Sequence, residues 1–402
     1  MVTGNDAASP SGSSAPIDFA LDPLPGPRLH ETLGELRRRH GDVAPVSFFG
    51  MPAIALLGWE VLREFFAAND DFPGGEVYKY QLEKTIGRTF ISMDGAEHDL
   101  YRRLATPAFR SRAAIRFVDE ELTPLAGQLL DELAPRGEAD LIEDFTNRLP
   151  FWAISRKLGL PEGFEDQQRQ WALAILSEPR DPDGARRAAE ELSEVIAPVV
   201  ADRRRHPGAD VISQLVSGEF QGVRLSDEEV YSHVRLLFAV GATTTSDALS
   251  NLLWTLMHQP DVLRRVAEEP ETRPAVVREL LRWEPPVPLL PRMALRAGAI
   301  GGVDVPAGAI VLAGIASANR DPARFDRPDE FLIDRPDSDI LTFGFGAKFC
   351  PGTHMAKQQL LASLDVLLDR LPGLQLAEND RGAQPSGCNL RSVQSLRCRW
   401  EA

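Results

Sequence analysis

A single, mostly helical domain with a minor β-sheet region is what this chain predicts, and three observations predict it. Between about residues 96 and 270, apolar residues recur at helical spacing with breaks only at Pro and Gly. Strand-like alternation is confined to short runs nearer the two ends. No internal repeat or low-complexity linker divides the 402 residues once the first sixteen are set aside.

The elements follow in order. Residues 1–16, MVTGNDAASPSGSSAP, carry neither an apolar core nor a basic patch and read as a disordered tail, which leaves 17–402 as the domain. Residues 29–40 (LHETLGELRRRH) have helical spacing, and VAPVSFF and MPAIALLG read as two strands joined near Gly50. The clearest helix runs from Ser226 to His258. Ser226-Asp227-Glu228-Glu229 matches a capping box, and the run that follows is apolar on most sides, so this helix is central and buried. Another helix covers 273–284 and stops before Pro285-Pro286. VDVPAGAIVL predicts a short hairpin turning at Ala307-Gly308. A loop rich in Pro, Asp and Arg, from Asp321 to Asp339, leads into a glycine-rich segment; a helical run from His354 to Arg370 comes next, and past Leu374 the chain is polar and strand-like.

Composition narrows the function classes. A hydrophobic share of 43% beside 26% charged residues is that of a soluble globular enzyme with room to bury a cofactor. A net charge of −15 argues against nucleic acid or an anionic membrane as partner. Three cysteines, Cys350, Cys388 and Cys398, are too few for a disulfide framework and point to a reducing cytoplasm. No apolar run approaches the ~20 residues of a membrane span.

Phe343-Gly344-Phe345-Gly346-Ala347-Lys348-Phe349-Cys350-Pro351-Gly352 is the most informative stretch. Its glycines allow positive φ and the close backbone approach that a flat cofactor needs. A thiolate at a helix start gains from the dipole and from unpaired N–H groups. One Cys with no Cys or His at metal-binding spacing cannot build a zinc site, but it can supply the single axial thiolate of a haem. The bland alternative is a buried, inert Cys in a glycine-rich turn. The pattern F-G-x-G-x-(basic)-x-C-x-G resembles the haem-binding loop of the cytochrome P450 family.

Three further constellations fit that resemblance. Glu279-Leu280-Leu281-Arg282 places a carboxylate and a guanidinium one helical turn apart, so they can pair. On a surface this is a common and weak pair; likeness to the family's E-x-x-R helix implies instead a structural pair buried behind the cysteine loop. The family closes that network with an Arg in P-x-R-F, where Pro328-Asp329-Glu330-Phe331 carries Glu330, so Arg327 or Arg335 is left to substitute. His98 and Arg102 share a helix face, which favours an anion between them. The resemblance makes that anion the haem propionates, with Arg292 and Lys348 in the remaining propionate positions and Phe343 beside the cofactor. Lys348 departs from the usual His or Arg and keeps charge without the bidentate fork. His354 reads as a structural or surface residue. Ala239-Val240-Gly241-Ala242-Thr243-Thr244-Thr245 puts a glycine and three β-branched hydroxyls in the most apolar helix; such hydroxyls can bond to the carbonyl four residues back. A packing notch is the plain reading. The likeness to A-G-x-(Asp/Glu)-T implies an oxygen-binding groove, with Gly241 and Ala242 against the cofactor and Thr244 and Thr243 as catalytic residues. Thr243 stands where the acid is expected, and Asp247 is the nearest carboxylate on the helix.

The resemblance implies a soluble bacterial haem-thiolate monooxygenase with haem b between the central helix and the cysteine-loop helix, and Cys350 as axial ligand. It also implies a cytoplasmic monomer that takes dioxygen, a hydrophobic small molecule, and electrons from NAD(P)H through a separate ferredoxin or flavodoxin. Arg103, Arg110, Arg112 and Lys357 form the basic patch expected for that partner, and no reductase domain is expected after the cysteine loop's helix. The substrate pocket implied comprises Tyr78, Tyr80, Ile91, Val240, Val287, Leu289, Leu290 and Asn389. The alternatives are a specialised oxidase (coupling, desaturation or rearrangement), kept open by Thr243, and a non-catalytic haem sensor.

Overall fold

The computed structural model describes residues 17–402, so the tail expected at 1–16 lies outside the described residues. Helices dominate, as the periodicity predicts, and the strands gather into three small sheets. β1 (Val43–Phe48) and β2 (Met51–Leu56) pair antiparallel, Phe48 opposite Met51. Their turn is Phe49-Gly50, both at positive φ (51° and 72°), the geometry whose twist matches the flanking strands. β3 (Glu138–Asp140) pairs with the C-terminal β9 (Arg397–Arg399), which also carries β8 (Gln375–Leu376).

The hairpin expected at Ala307-Gly308 does not form. β5 (Gly298–Ile300) and β6 (Val303–Val305) make the hairpin instead, across Gly301-Gly302, while β7 (Ile310–Ala313) runs parallel to β2 and antiparallel to β4 (Leu290–Met293). Two adjacent glycines at φ 56° and 77° suit a tight turn. Pro306, lacking an N–H, ends the ladder before it could continue into β7.

The central helix spans Asp227–Met257, 31 residues and roughly 46 Å at 1.5 Å per residue. The capping box starts it: Glu229 N donates to Ser226 Oγ at 3.3 Å, and Ser226 N donates to Glu229 Oε2 at 2.8 Å. Most of its length is buried, packed on the helices Leu149–Leu158, Glu165–Leu176 and Pro182–Arg205. The helix Thr353–Arg370 crosses beneath it, and a cavity lies between the two. Among the described residues, no helix is long and apolar enough to cross a membrane.

Three buried titratable groups set a stability profile. Burial pushes His30 and His233 down to about 4 from the ordinary 6.5, and pushes Asp247 up to about 8 from 3.8. From pH 6.5 down to about 4 the unfolded chain gains two histidine protons, whereas the folded chain holds one extra proton at Asp247. The net is one proton, so stability falls on acidification by about 1.4 kcal/mol per pH unit; His98, also lowered by burial, adds in the same direction. From pH 6.5 up to about 7 Asp247 dominates and stability falls as pH rises; nearer 8 Lys348, lowered by burial to about 8, begins to offset it. Melting temperature against pH should therefore peak near about 6.5, and Asp247→Asn should remove the alkaline limb; a flat profile from 5 to 8 would contradict these burial effects.

Candidate active site

The loop Phe343–Gly352 is bent by Gly344 and Gly346, at φ 74° and 73°. A Cβ on Gly346 would sit 3.0 Å from the Phe66 carbonyl oxygen, so that position needs both the positive φ and the missing side chain. The bend lets Cys350 N donate to Phe343 O at 2.9 Å, closing the loop. Thr353 then opens the helix, its hydroxyl donating to the Cys350 carbonyl at 2.8 Å. The Cys350 sulfur faces a cavity of about 680 Å³. Burial pushes this thiol up, opposed by the backbone N–H groups of Gly352 and Thr353. A coordinated metal outweighs such burial, because it deprotonates its thiol ligand outright.

Above the cysteine, the central helix presents Val240, Gly241, Thr244, Thr245 and Ala248 to the cavity. Thr243, Thr244 and Thr245 donate to the carbonyls of Ala239, Val240 and Gly241 at 2.8, 2.9 and 3.0 Å. Ala242 and Thr243, expected in the groove, do not line the cavity: positions 241, 244, 245 and 248 share the exposed helix face, and 242 and 243 fall outside it. Thr243 is 2% exposed and its hydroxyl proton is committed to the backbone.

Three cationic side chains, Arg102, Arg292 and Lys348, and the imidazole of His98 line the part of the cavity near the cysteine loop. His98 is buried, with Nε2 unpartnered. Arg292 donates to the Phe72 carbonyl at 2.9 Å and lies over the rings of Phe65 and Phe66, and burial lowers its pKa to about 10. Lys348 reaches Asp94 at 3.3 Å and contacts the Met93 carbonyl, and burial lowers it to about 8. Arg102, lowered by burial too, donates to the Phe349 carbonyl. Three cations gathered around an apolar space, each with its charged form penalised, and a neutral imidazole beside them make a seat for an anionic group. A flat dianionic ligand with a metal over the cysteine fits both the charge and the unpartnered His98 nitrogen.

The apolar walls are Tyr78, Ile91, Val240, Val287, Leu289, Leu290 and Phe343, with Asn389 as a polar residue among them. Tyr80 is a correction: it is 68% exposed. It lies two positions after inward-facing Tyr78 on the helix Gly75–Gln81, hence on the opposite face. The sequence reading missed the mouth, built by Leu21–Pro23, Phe49, Pro179 and Arg180. These positions come from three distant segments and carry no common local pattern.

Behind the loop, Glu279 and Arg282 are 4% and 1% exposed, and they pair twice, at 2.7 and 2.8 Å. Arg282 also donates to the carbonyls of Asn319, Pro328 and Glu330 at 2.9, 2.8 and 3.0 Å. The third side chain is Arg335, whose Nε lies 3.2 Å from Glu279 Oε1. Arg327 joins only by its carbonyl, which accepts from Arg335 at 3.0 Å; its side chain is paired at the surface with Asp326 and Glu330. Glu330 joins by its carbonyl, which explains how a carboxylate can occupy the family's Arg position: its side chain points away. Asn319 carries the network onward, donating to Thr342 Oγ1 at 2.8 Å and accepting from Leu341 N at 2.8 Å, directly before Phe343.

Comparison with known proteins agrees with this geometry. The family model described as Cytochrome P450 matches residues 180–372. The putative cytochrome P450 YjiB of Bacillus subtilis is 33% identical over 304 residues, 73% of this chain and 76% of the relative. The mycinamicin IV hydroxylase/epoxidase of Micromonospora griseorubida is 35% identical over 297 residues, covering 71% and 73%. Among solved structures, cytochrome P450 CYP109Q5 from Chondromyces apiculatus superposes with a TM-score of 0.85 at 27% identity, over 94% of this chain and 96% of that one.

Proposed function

The chain belongs to the cytochrome P450 family, and from that premise we propose that it inserts one atom of dioxygen into a C–H bond of a hydrophobic small molecule. It is an oxidoreductase of the monooxygenase type, the family's activity. Electrons come, in this reading, from NAD(P)H through a separate ferredoxin or flavodoxin, which docks near Arg103, Arg110, Arg112 and Lys357. The rest of the proposal is one catalytic domain over 17–402, monomeric and cytoplasmic. The observation that carries it is the meeting of the Cys350 thiol, the Thr244 hydroxyl, the His98 imidazole and the cationic side chains of Arg102, Arg292 and Lys348 in one apolar cavity.

The family's cofactor is haem with an axial cysteine, here proposed as haem b. Cys350 would ligate it, His98, Arg102, Arg292 and Lys348 would hold its propionates, and Gly241 would lie beside it on the cavity wall, where a Cβ would meet Ile154 at 3.3 Å. When bound, haem supplies the oxygen and electron chemistry. The chain's own residues do the rest. Tyr78, Ile91, Val240, Val287, Leu289 and Leu290 exclude water and orient an apolar substrate, with Asn389 as the polar handle. Thr244, bonded to the Val240 carbonyl, keeps oxygen lone pairs free to accept a proton donor while it faces the cavity. The name of the Micromonospora relative joins hydroxylation with epoxidation, which supports oxygen insertion over a non-catalytic role. A second reading, a specialised oxidase, draws on Thr243 in the acid's place.

With a surrogate ferredoxin and its reductase, NADPH consumption should be matched by oxygenated product. A haem sensor would bind carbon monoxide yet form no product. Thr244→Ala should keep its haem, lose about 10-fold or more in product formation, and divert NADPH to peroxide. Peroxide released per NADPH is the measurement; unchanged coupling would reduce Thr244 to a packing residue.

A further inference from the structure

We propose that Asp247 is the proton-holding group of this site, feeding the Thr244 hydroxyl through water held between the central helix and the loop Gly387–Val393. The role rests on the monooxygenase reading above.

Asp247 lies one helical turn beyond Thr244, is 9% exposed, and its Oδ2 has no hydrogen-bond partner among the described residues. Asn251, the next turn along, is fully buried with Oδ1 equally unpartnered. Asn389 lines the cavity, and its Oδ1 is also buried and unpartnered. The loop that carries Asn389 packs on this stretch of helix. Asn251 Nδ2 donates to the Arg391 carbonyl at 2.9 Å, Val393 N to Ser250 Oγ at 3.4 Å, and Ser250 Oγ to the Asp247 carbonyl at 2.8 Å. Three buried oxygens without hydrogen-bond partners, along one helix–loop seam that opens on the cavity, call for ordered water, which bonds such groups two to four at a time.

The charged group that faces Asp247 is Arg169 of the helix Glu165–Leu176, and Ser392 faces it from the loop. Burial outweighs both and keeps the carboxyl protonated at neutral pH, with a value of about 8. A neutral carboxyl is a donor, and a pKa near the working pH suits proton transfer. Thr243, in the position where an acid was expected, holds no such proton.

The overall reaction is R–H + O₂ + 2e⁻ + 2H⁺ → R–OH + H₂O, with both electrons from the reduced ferredoxin or flavodoxin. Asp247 releases its O–H proton to the intervening water. Water passes a proton to Thr244 Oγ as the hydroxyl turns from the Val240 carbonyl and gives its own proton to the oxygen substrate. The carboxylate then regains a proton from solvent along the same water.

Asp247→Asn is the discriminating variant, because Asn keeps the shape and neutrality of the protonated acid but has no acidic proton. In the resting wild type, infrared difference spectra should show a carboxylic-acid band lost with a midpoint near about 8, absent in the variant. The variant should retain haem and its carbonyl spectrum, release several-fold more peroxide per NADPH, and lose the wild-type change in coupling near that pH. A wild type with no carboxylic acid titrating there overturns the proposal, as does a variant that couples like the wild type. A wild type that consumes no NADPH with reduced ferredoxin overturns the oxygenase reading and this role with it.

Discussion

Replacing Cys350 by histidine should leave a protein that holds some haem but has lost both the red-shifted carbonyl band of thiolate ligation and NADPH-driven product formation. The cationic seat of His98, Arg102, Arg292 and Lys348 remains in that variant, so haem is retained in part. No other thiol can take over. Cys388 lies at the mouth, its Sγ 3.2 Å from the Asp22 carbonyl, and burial pushes it up to about 12. Cys398 is buried in β9, opposite Ala139 of β3, with its thiol also pushed up. A thiolate band that survived Cys350→His would hand the metal to one of these and dismantle the site as described. The size of the effect follows from the thiolate's electron donation, which imidazole does not match.

Local signals carried much of this fold. The capping box at Ser226, the strand pair around Gly50 and the stop before Pro285 were legible because each rests on residues adjacent in sequence. The hairpin at 298–305 was misplaced because Ala307-Gly308 and Gly301-Gly302 are both turn signals, and only tertiary pairing of β7 with β2 and β4 chooses between them. The cavity residues near Cys350 were legible through the motif that holds them. Thr243, Ala242 and Tyr80 were not placed correctly, since a motif names positions while helix phase decides which side chains turn inward. The mouth at Leu21–Pro23 and Arg180 leaves no sequence trace at all; it exists because Arg180 reaches the Ala20 carbonyl across 160 positions. Asp247 was legible as a carboxylate, but its burial and unpartnered oxygen are properties of packing alone.

Glu279→Ala should be the most destabilising of these substitutions. Glu279 accepts two bonds from Arg282, one from Leu332 N at 2.9 Å, and one from Arg335, so its removal strips the countercharge from two guanidinium groups at once. Arg282 is 1% exposed and cannot turn to water, and its remaining donors are bound to carbonyls, which carry no charge. A buried charge stranded in this way costs about 3–5 kcal/mol, against a total stability of about 5–15 kcal/mol for a typical domain. Because Asn319 links Arg282 to Thr342, the damage should travel to the cysteine loop, so haem content should fall along with soluble yield. Arg335→Ala makes the contrast: Glu279 keeps its two bonds to Arg282, and the loss should be clearly smaller. Soluble yield, melting temperature and haem per chain measure both variants. Normal yield and full haem in Glu279→Ala would mean that the charge finds water after all and that the pair is no more than a solvated salt bridge.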